Sequence, residues 1–189
     1  MPKIIKDIEE NIFNAAFELF GEYGYKETDM KKIAKKAGIA VGTLYNYYSN
    51  KKELFLSVFE KSWKNTFFRI DSMFREKTDA KEKIRSFVEI LYDEISKRKG
   101  LGSELVRENV IAHEKNEKFL FVKKELSNRM QALIHELRCN EELRFESDMD
   151  ERLCFSLVTL TAEMTKIYPG ERDTNLEFIN MFIESIYKR

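Results

Sequence analysis

No proline stands between Pro2 and Pro169, and only seven glycines punctuate the 189 residues. Proline removes a backbone donor and clashes with the preceding turn, and glycine carries the largest backbone entropy cost in a helix. A chain so poor in both, with Leu, Ile, Phe, Lys and Glu recurring three and four positions apart, is expected to be all-α. No stretch reads convincingly as a strand. The length permits a sizeable core, in one large domain or two modest ones. Fifteen phenylalanines and eight tyrosines supply aromatic area for that core or for the wall of a cavity.

Within this helical background the stretch Thr28 to Lys52, TDMKKIAKKAGIAVGTLYNYYSNKK, has its own grammar. Asp29 is a good N-cap, and Met30, Ile33, Ala34 and Ala37 mark one face of a short helix. Gly38 can take the left-handed conformation that ends a helix and turns the chain. Two residues later a second short helical run begins, Val41 to Tyr48. Short helices joined by such a turn make a helix-turn-helix, whose second helix enters a DNA major groove. Charge supports that use. The whole chain is neutral, with 33 basic and 33 acidic residues, whereas Lys26 to Lys52 holds seven lysines, Lys36 among them, and two acids, a local +5. Such a patch is a footprint for phosphates. The second run, Gly42-Thr43-Leu44-Tyr45-Asn46-Tyr47-Tyr48, is uncharged and rich in groups that can hydrogen-bond to phosphates or base edges.

Residues 12–55, IFNAAFELFGEYGYKETDMKKIAKKAGIAVGTLYNYYSNKKELF, resemble the DNA-binding domain of the tetracycline-repressor (TetR) family of bacterial and archaeal transcription regulators. The features that carry the resemblance are the alanine- and phenylalanine-bearing first helix, the Gly-Tyr turn, Thr28, Ile33-Ala34, Ala37-Gly38, Gly42-Thr43-Leu44-Tyr45, Tyr47-Tyr48 and Lys51. They cover about a quarter of the chain. The resemblance implies a three-helix DNA-binding domain over residues 1–50 and a helical effector-binding and dimerisation domain over residues 51–189. It also implies a homodimer that binds a double-stranded operator and is released by a small molecule. Two departures matter. Ala40 and Val41 replace the usual cap and following lysine, which shifts binding onto Thr43, Tyr47 and Lys51. Asn46 stands where histidine or arginine is frequent, and asparagine suits a bidentate contact with adenine. Thr28, Thr43, Tyr47 and Lys51 are therefore expected to hold phosphates, with Lys36 in the same basic patch, and Tyr45 and Asn46 to reach bases or the groove floor.

Other elements can be placed coarsely. A first helix is expected from about Lys3 to Tyr23, with Ile8, Ile12, Ala15, Ala16, Leu19 and Phe20 inward and Lys3 and Lys6 as extra phosphate contacts. Asn50 and Glu53 form a capping-box-like start for a long helix from Lys51 to about Lys77. By the resemblance, this helix couples effector to DNA. Further helices are expected from Asp79 to about Lys99, Ser103 to about His113, Asn116 to Leu137, Arg152 to Lys166 and Thr174 to Lys188, with a polar connection between Arg138 and Ser147.

The last two helices carry apolar residues on more than one face. A four-helix dimer interface through Leu157, Leu160, Ile179, Phe182, Ile183 and Ile186 explains that excess, and burial within one monomer is the competing account. Effector-pocket candidates are Trp63, Phe67, Phe87, Leu91, Val110, Val122, Met130 and Glu163. Each apolar member is equally readable as plain core. Glu163 is a lone charge in an apolar helix, to be met by a ligand, by Arg107 or by a second copy. The aromatic content points to a hydrophobic or flat effector.

Enzymatic constellations are missing from the sequence. His113 and His135 belong to neither HExxH nor a Glu-x-x-His pair, and there is no phosphate loop or nucleophile elbow. No metal or cofactor is expected. Cys139 and Cys154 are isolated and read as free thiols in a cytosolic chain. The N-terminus lacks a signal-peptide core and no run is long enough to cross a bilayer, so a cytoplasmic location is expected. The rival reading is a helical adaptor that binds protein through its apolar C-terminal helices and uses the lysines only as a solvated face.

Overall fold

The computed structural model describes residues 8–98, 117–140, 143–144 and 146–188. Its helices are α1 Ile8–Glu27, α2 Met30–Ala37, α3 Val41–Tyr47, α4 Lys51–Phe74, α5 Ala80–Lys97, α6 Glu117–Cys139, α7 Asp150–Ile167 and α8 Arg172–Glu184, with a 3-10 turn at Ser147–Met149. A single antiparallel bridge between Leu143 and Tyr187 is the extended pairing present among the described residues. The expected helix start near Lys3, the residues Lys3 and Lys6, and the expected helix Ser103 to His113 lie outside the described residues.

Element ends follow the local chemistry. Asp79 Oδ1 accepts the Glu82 N–H at 2.8 Å and opens α5. Asn50 Oδ1 accepts the Glu53 N–H at 2.9 Å, while the Glu53 carboxylate accepts the Ser49 N–H at 2.8 Å and its hydroxyl at 2.6 Å. The Asn50 cap is the first half of the box expected at the start of α4, but the Glu53 carboxylate reaches one residue past the cap to Ser49, whose hydrogen bonds hold it below its ordinary range. α4 ends at Phe74, short of the expected Lys77, and α6 continues two residues past the expected Leu137.

The described residues fall into two compact units, one within Met1–Ser62 and Arg98–Phe119, the other within Trp63–Lys97 and Leu120–Arg189. The first therefore extends past residue 50 and takes in the first half of α4. Its core joins Ile12, Ala16, Leu19 and Phe20 of α1 to Ile33 and Ala34 of α2, Leu44 of α3 and Leu54 and Phe55 of α4, all buried. Phe55 meets Phe20 and Tyr25 edge-on, with ring centroids 4.8 and 5.0 Å apart. Buried Arg98 donates to the Ser62 hydroxyl and carbonyl at 3.1 and 2.9 Å.

In the second unit α5 packs on α7 and α8, and α7 on α8. Buried Asn175 ties that corner, its amide donating to the Tyr92 hydroxyl and the Tyr168 carbonyl, both at 2.9 Å. Arg129 pairs with both Asp71 oxygens at 2.8 and 2.9 Å and lies 4.4 Å over the Phe67 ring. Both cysteines are free; Cys139 is exposed, and burial pushes the Cys154 thiol up to about 11.

The apolar excess of α7 and α8 divides into two faces, which corrects the expected interface. Leu157, Ile179, Ile183 and Ile186 are buried in the chain's own core, so they are packing residues of the monomer. Leu160 is half-buried and Phe182 exposed. Among the apolar residues left on the surface are Phe155 at 70% exposure, Ile167 at the end of α7, Phe178, Met181 at 66% and Phe182. Phe178, Met181 and Phe182 stand at i, i+3 and i+4 and share one face of α8.

Candidate nucleic-acid interface

The turn between α2 and α3 is built as its glycine requires. Asp29 Oδ1 accepts the Lys32 N–H at 2.8 Å and caps α2. At the other end Gly38 has φ +70, its N–H donates to Lys35 O at 3.2 Å, and the Ile39 N–H donates to Ala34 O at 3.0 Å. These two bonds satisfy the last carbonyls of α2 in a Schellman arrangement. A Cβ at Gly38 would meet nothing within 4 Å, so the demand for glycine here comes from the backbone angle. α3 then starts at Val41 behind Ala40, which provides no side-chain cap, as its sequence indicates.

Leu44, fully buried, anchors α3 to the core, and the residues around it fan outward. Tyr45 is 49% exposed, Tyr47 40% exposed, Asn46 exposed and Thr43 half-buried. The helix is uncharged, so its reach into a groove costs no desolvated charge. On α2 the inward residues Met30, Ile33, Ala34 and Ala37 leave Lys31, Lys32, Lys35 and Lys36 on the surface. Lys31 and Lys35 are one turn apart and, like Lys52, form no bond among the described residues.

Three expected phosphate contacts are used differently. Thr28 is 1% exposed and its hydroxyl donates to Leu19 O at 3.0 Å, so it joins the α1–α2 corner internally. Lys36 Nζ pairs with Glu18 at 2.7 Å, and that carboxylate raises its affinity for the proton. Lys51 Nζ donates to Tyr25 O at 2.7 Å, Thr28 O at 2.9 Å and Lys26 O at 3.3 Å. The sequence counted Lys31, Lys35 and Lys52 in the patch but did not single them out. The readable signal is spacing: Lys31 and Lys35 sit one turn apart, opposite the apolar positions of α2. Thr28→Val is expected to cost about 1 kcal/mol of unfolding free energy in a denaturant titration. Its duplex affinity and salt slope are expected to stay unchanged, because no phosphate contact is removed.

Of the effector candidates, Trp63, Phe67, Phe87, Leu91, Val122 and Met130 are all buried in the second unit. Trp63 and Phe67 have ring centroids 5.7 Å apart, and Phe67 meets Phe121 at 6.5 Å. Val110 lies outside the described residues. Glu163 departs from expectation: its side chain is 46% exposed and pairs with Lys166 at 3.3 Å on the same helix, so it is not a buried charge. A groove of about 380 Å³ between α4 and α5, lined by Phe68, Arg69, Met73, Glu76 and Ile90 among others, includes none of the candidates. Among the described residues no group of three metal-ligating side chains occurs, and no helix is long and apolar enough to cross a membrane.

Residues 12–58 match the family described as bacterial regulatory proteins, tetR family. The chain is 40% identical over 73 residues to the fatty acid metabolism regulator protein of Bacillus subtilis, covering 39% of this chain and 38% of that one. It thus spans less than half the length of the first curated relatives it matches. Two solved structures show the fold over nearly the whole chain. The fatty acid degradation regulator FadR from Bacillus halodurans superposes with a TM-score of 0.77 at 22% identity, covering 95% of this chain and 96% of that one. FadR from Bacillus subtilis in complex with stearoyl-CoA superposes with a TM-score of 0.70 at 22% identity, covering 90% and 97%.

Proposed function

We propose that this chain, which belongs through its N-terminal domain to the tetR family of bacterial regulatory proteins, is a dimeric transcription regulator that binds a pseudo-palindromic operator and is released by a small molecule. The observation that carries the reading is the face of α3. Tyr45, Asn46 and Tyr47 stand exposed around the buried anchor Leu44, beside Lys31 and Lys35 of α2, which are exposed and form no bond among the described residues. An uncharged recognition helix flanked by phosphate-binding cations is what sequence-specific duplex binding needs. Residues about 1–50 would contact DNA, and residues 51–189 would sense and dimerise. The chain is read as a binding protein rather than a catalyst.

The effector is read as hydrophobic. The aromatic cluster of Trp63, Phe67 and Phe121 supports this, as does the stearoyl-CoA in the Bacillus subtilis FadR complex, a ligand with a long apolar tail. Dimerisation is assigned to the exposed faces of α7 and α8, because Phe155, Phe178, Met181 and Phe182 would otherwise remain in water.

The test is selection of bound duplexes from random-sequence DNA at two salt concentrations. The expected result is an enriched motif with two related half-sites. Weak binding without any enriched motif, abolished by salt, would leave only nonspecific lysine contacts and favour the adaptor.

A further inference from the structure

Along the sequence Cys139 has no second cysteine near it, but the helix gives it a different neighbour. His135 and Cys139 stand at i and i+4 on α6, one turn apart on the same face, and both are exposed. Cys139 Sγ lies 3.6 Å from His135 Nε2. A zinc ion holds a thiolate sulfur at about 2.3 Å and an imidazole nitrogen at about 2.05 Å, and a tetrahedral angle between them sets the two donor atoms about 3.6 Å apart. The pair therefore already stands at the separation that one tetrahedral ion imposes. Thiolate and imidazole are also ligand types that suit zinc.

The turn that carries the pair is firmly held. Leu133, Ile134 and Leu137 are fully buried and anchor its inner side. The Asn140 N–H donates to Glu136 O at 3.2 Å, so the helical hydrogen bonds continue past Cys139. Lys83 Nζ engages the Glu136 carboxylate at 2.8 and 3.1 Å, and Arg138 pairs with Asp150. A chelating pair on so anchored a turn loses little freedom when an ion binds.

We propose that His135 and Cys139 form a two-point binding site for a thiophilic divalent cation such as zinc, with water in the remaining positions. On binding, a sulfur–metal bond replaces the S–H bond, the thiol proton passes to solvent, and the neutral imidazole donates its Nε2 lone pair. Among the described residues no group of three His, Cys, Asp or Glu side chains could hold an ion, so the site is open and exchangeable, unlike the closed four-ligand sites that hold folds together. Its dissociation constant is expected on the order of 1–100 μM, because roughly half the binding free energy of a four-ligand site is available. The proposal does not rest on the regulator reading, since it uses neither the α2–α3 surface nor the aromatic cluster.

The experiment titrates zinc chloride into the reduced, untagged full chain by calorimetry, and into Cys139→Ser, His135→Gln and Cys154→Ser. Cobalt(II) is then used in place of zinc, because a cobalt–thiolate bond gives charge-transfer absorption in the near ultraviolet. Both proposed ligands are exposed, so their substitution should leave the fold intact, which circular dichroism checks. The unaltered chain is expected to bind one ion and to show the cobalt–thiolate band. Cys139→Ser should abolish the band, and it and His135→Gln should each weaken zinc binding by about tenfold or more. Cys154→Ser, at a thiol only 5% exposed, should change neither. Unchanged zinc affinity in Cys139→Ser or in His135→Gln overturns the proposal, as does a band that survives Cys139→Ser. Failure of the unaltered chain to bind at millimolar zinc overturns it outright.

Discussion

Asn46→Ala is expected to relax selection at a single base pair of each half-site while leaving the rest of the motif intact. Asn46 is exposed on the second turn of α3, two residues after the anchor Leu44, and its amide can meet the N6 and N7 edge of adenine with two hydrogen bonds. One such pair discriminates by about 1–3 kcal/mol, roughly five- to 150-fold against the wrong base. Competition between the selected duplex and singly substituted duplexes reads this directly. Tyr45→Ala is expected to lower affinity for the operator more broadly, since a half-exposed ring at the same surface supplies contact area rather than a base-specific pair. The lysines give the contrast. Lys31→Ala should weaken every duplex alike and lower the salt slope by about 0.9, whereas Lys36→Ala, removing a cation already paired with Glu18, should leave the slope where it was. An unaltered motif for Asn46→Ala would remove that residue from base readout.

The second large effect is expected at the C-terminal helices. Phe155→Ala and Met181→Ala each remove an apolar side chain that is 70% and 66% exposed in the single chain. If a second copy covers them, each change is felt twice in a two-fold assembly, and burial of such a side chain contributes about 1.5–3 kcal/mol. The pair should shift the chain from dimer to monomer in sedimentation at micromolar concentration. Affinity for a complete operator should fall with it, while binding to an isolated half-site persists. Leu157→Ala should behave in the opposite way. That residue is wholly buried within the monomer, so its truncation should cost about 2–5 kcal/mol of stability and leave the surface of association in place. A doubly substituted chain that stays dimeric would put the interface elsewhere.

These expectations separate two kinds of legibility. Local features were readable because neighbours along the chain determine them. Asp29 and Asn50 act as caps, Gly38 takes the left-handed turn, and Met30, Ile33, Ala34 and Ala37 form the inner face of α2, each as spacing and side-chain chemistry indicate. The all-α class followed from the same local rules, since helix propensity and periodicity act within a few residues.

The use of the polar and apolar side chains depended on partners far along the chain. A periodic pattern shows that α7 and α8 have apolar residues on two faces but not which face the monomer keeps. Packing against α5 buried Leu157, Ile179 and Ile183 and left Phe155, Phe178 and Met181 outside. Glu163 looked like a stranded charge because its helix is apolar, yet the fold leaves it half in water beside Lys166. Thr28, Lys36 and Lys51 carry the groups that phosphates bind, and the sequence determined that chemistry. Tertiary structure decided its use, because Leu19 O, Glu18 and the carbonyls of Tyr25, Lys26 and Thr28 come within hydrogen-bond range only once α1, α2 and α4 are packed together. A donor so satisfied no longer has the same proton to offer to DNA.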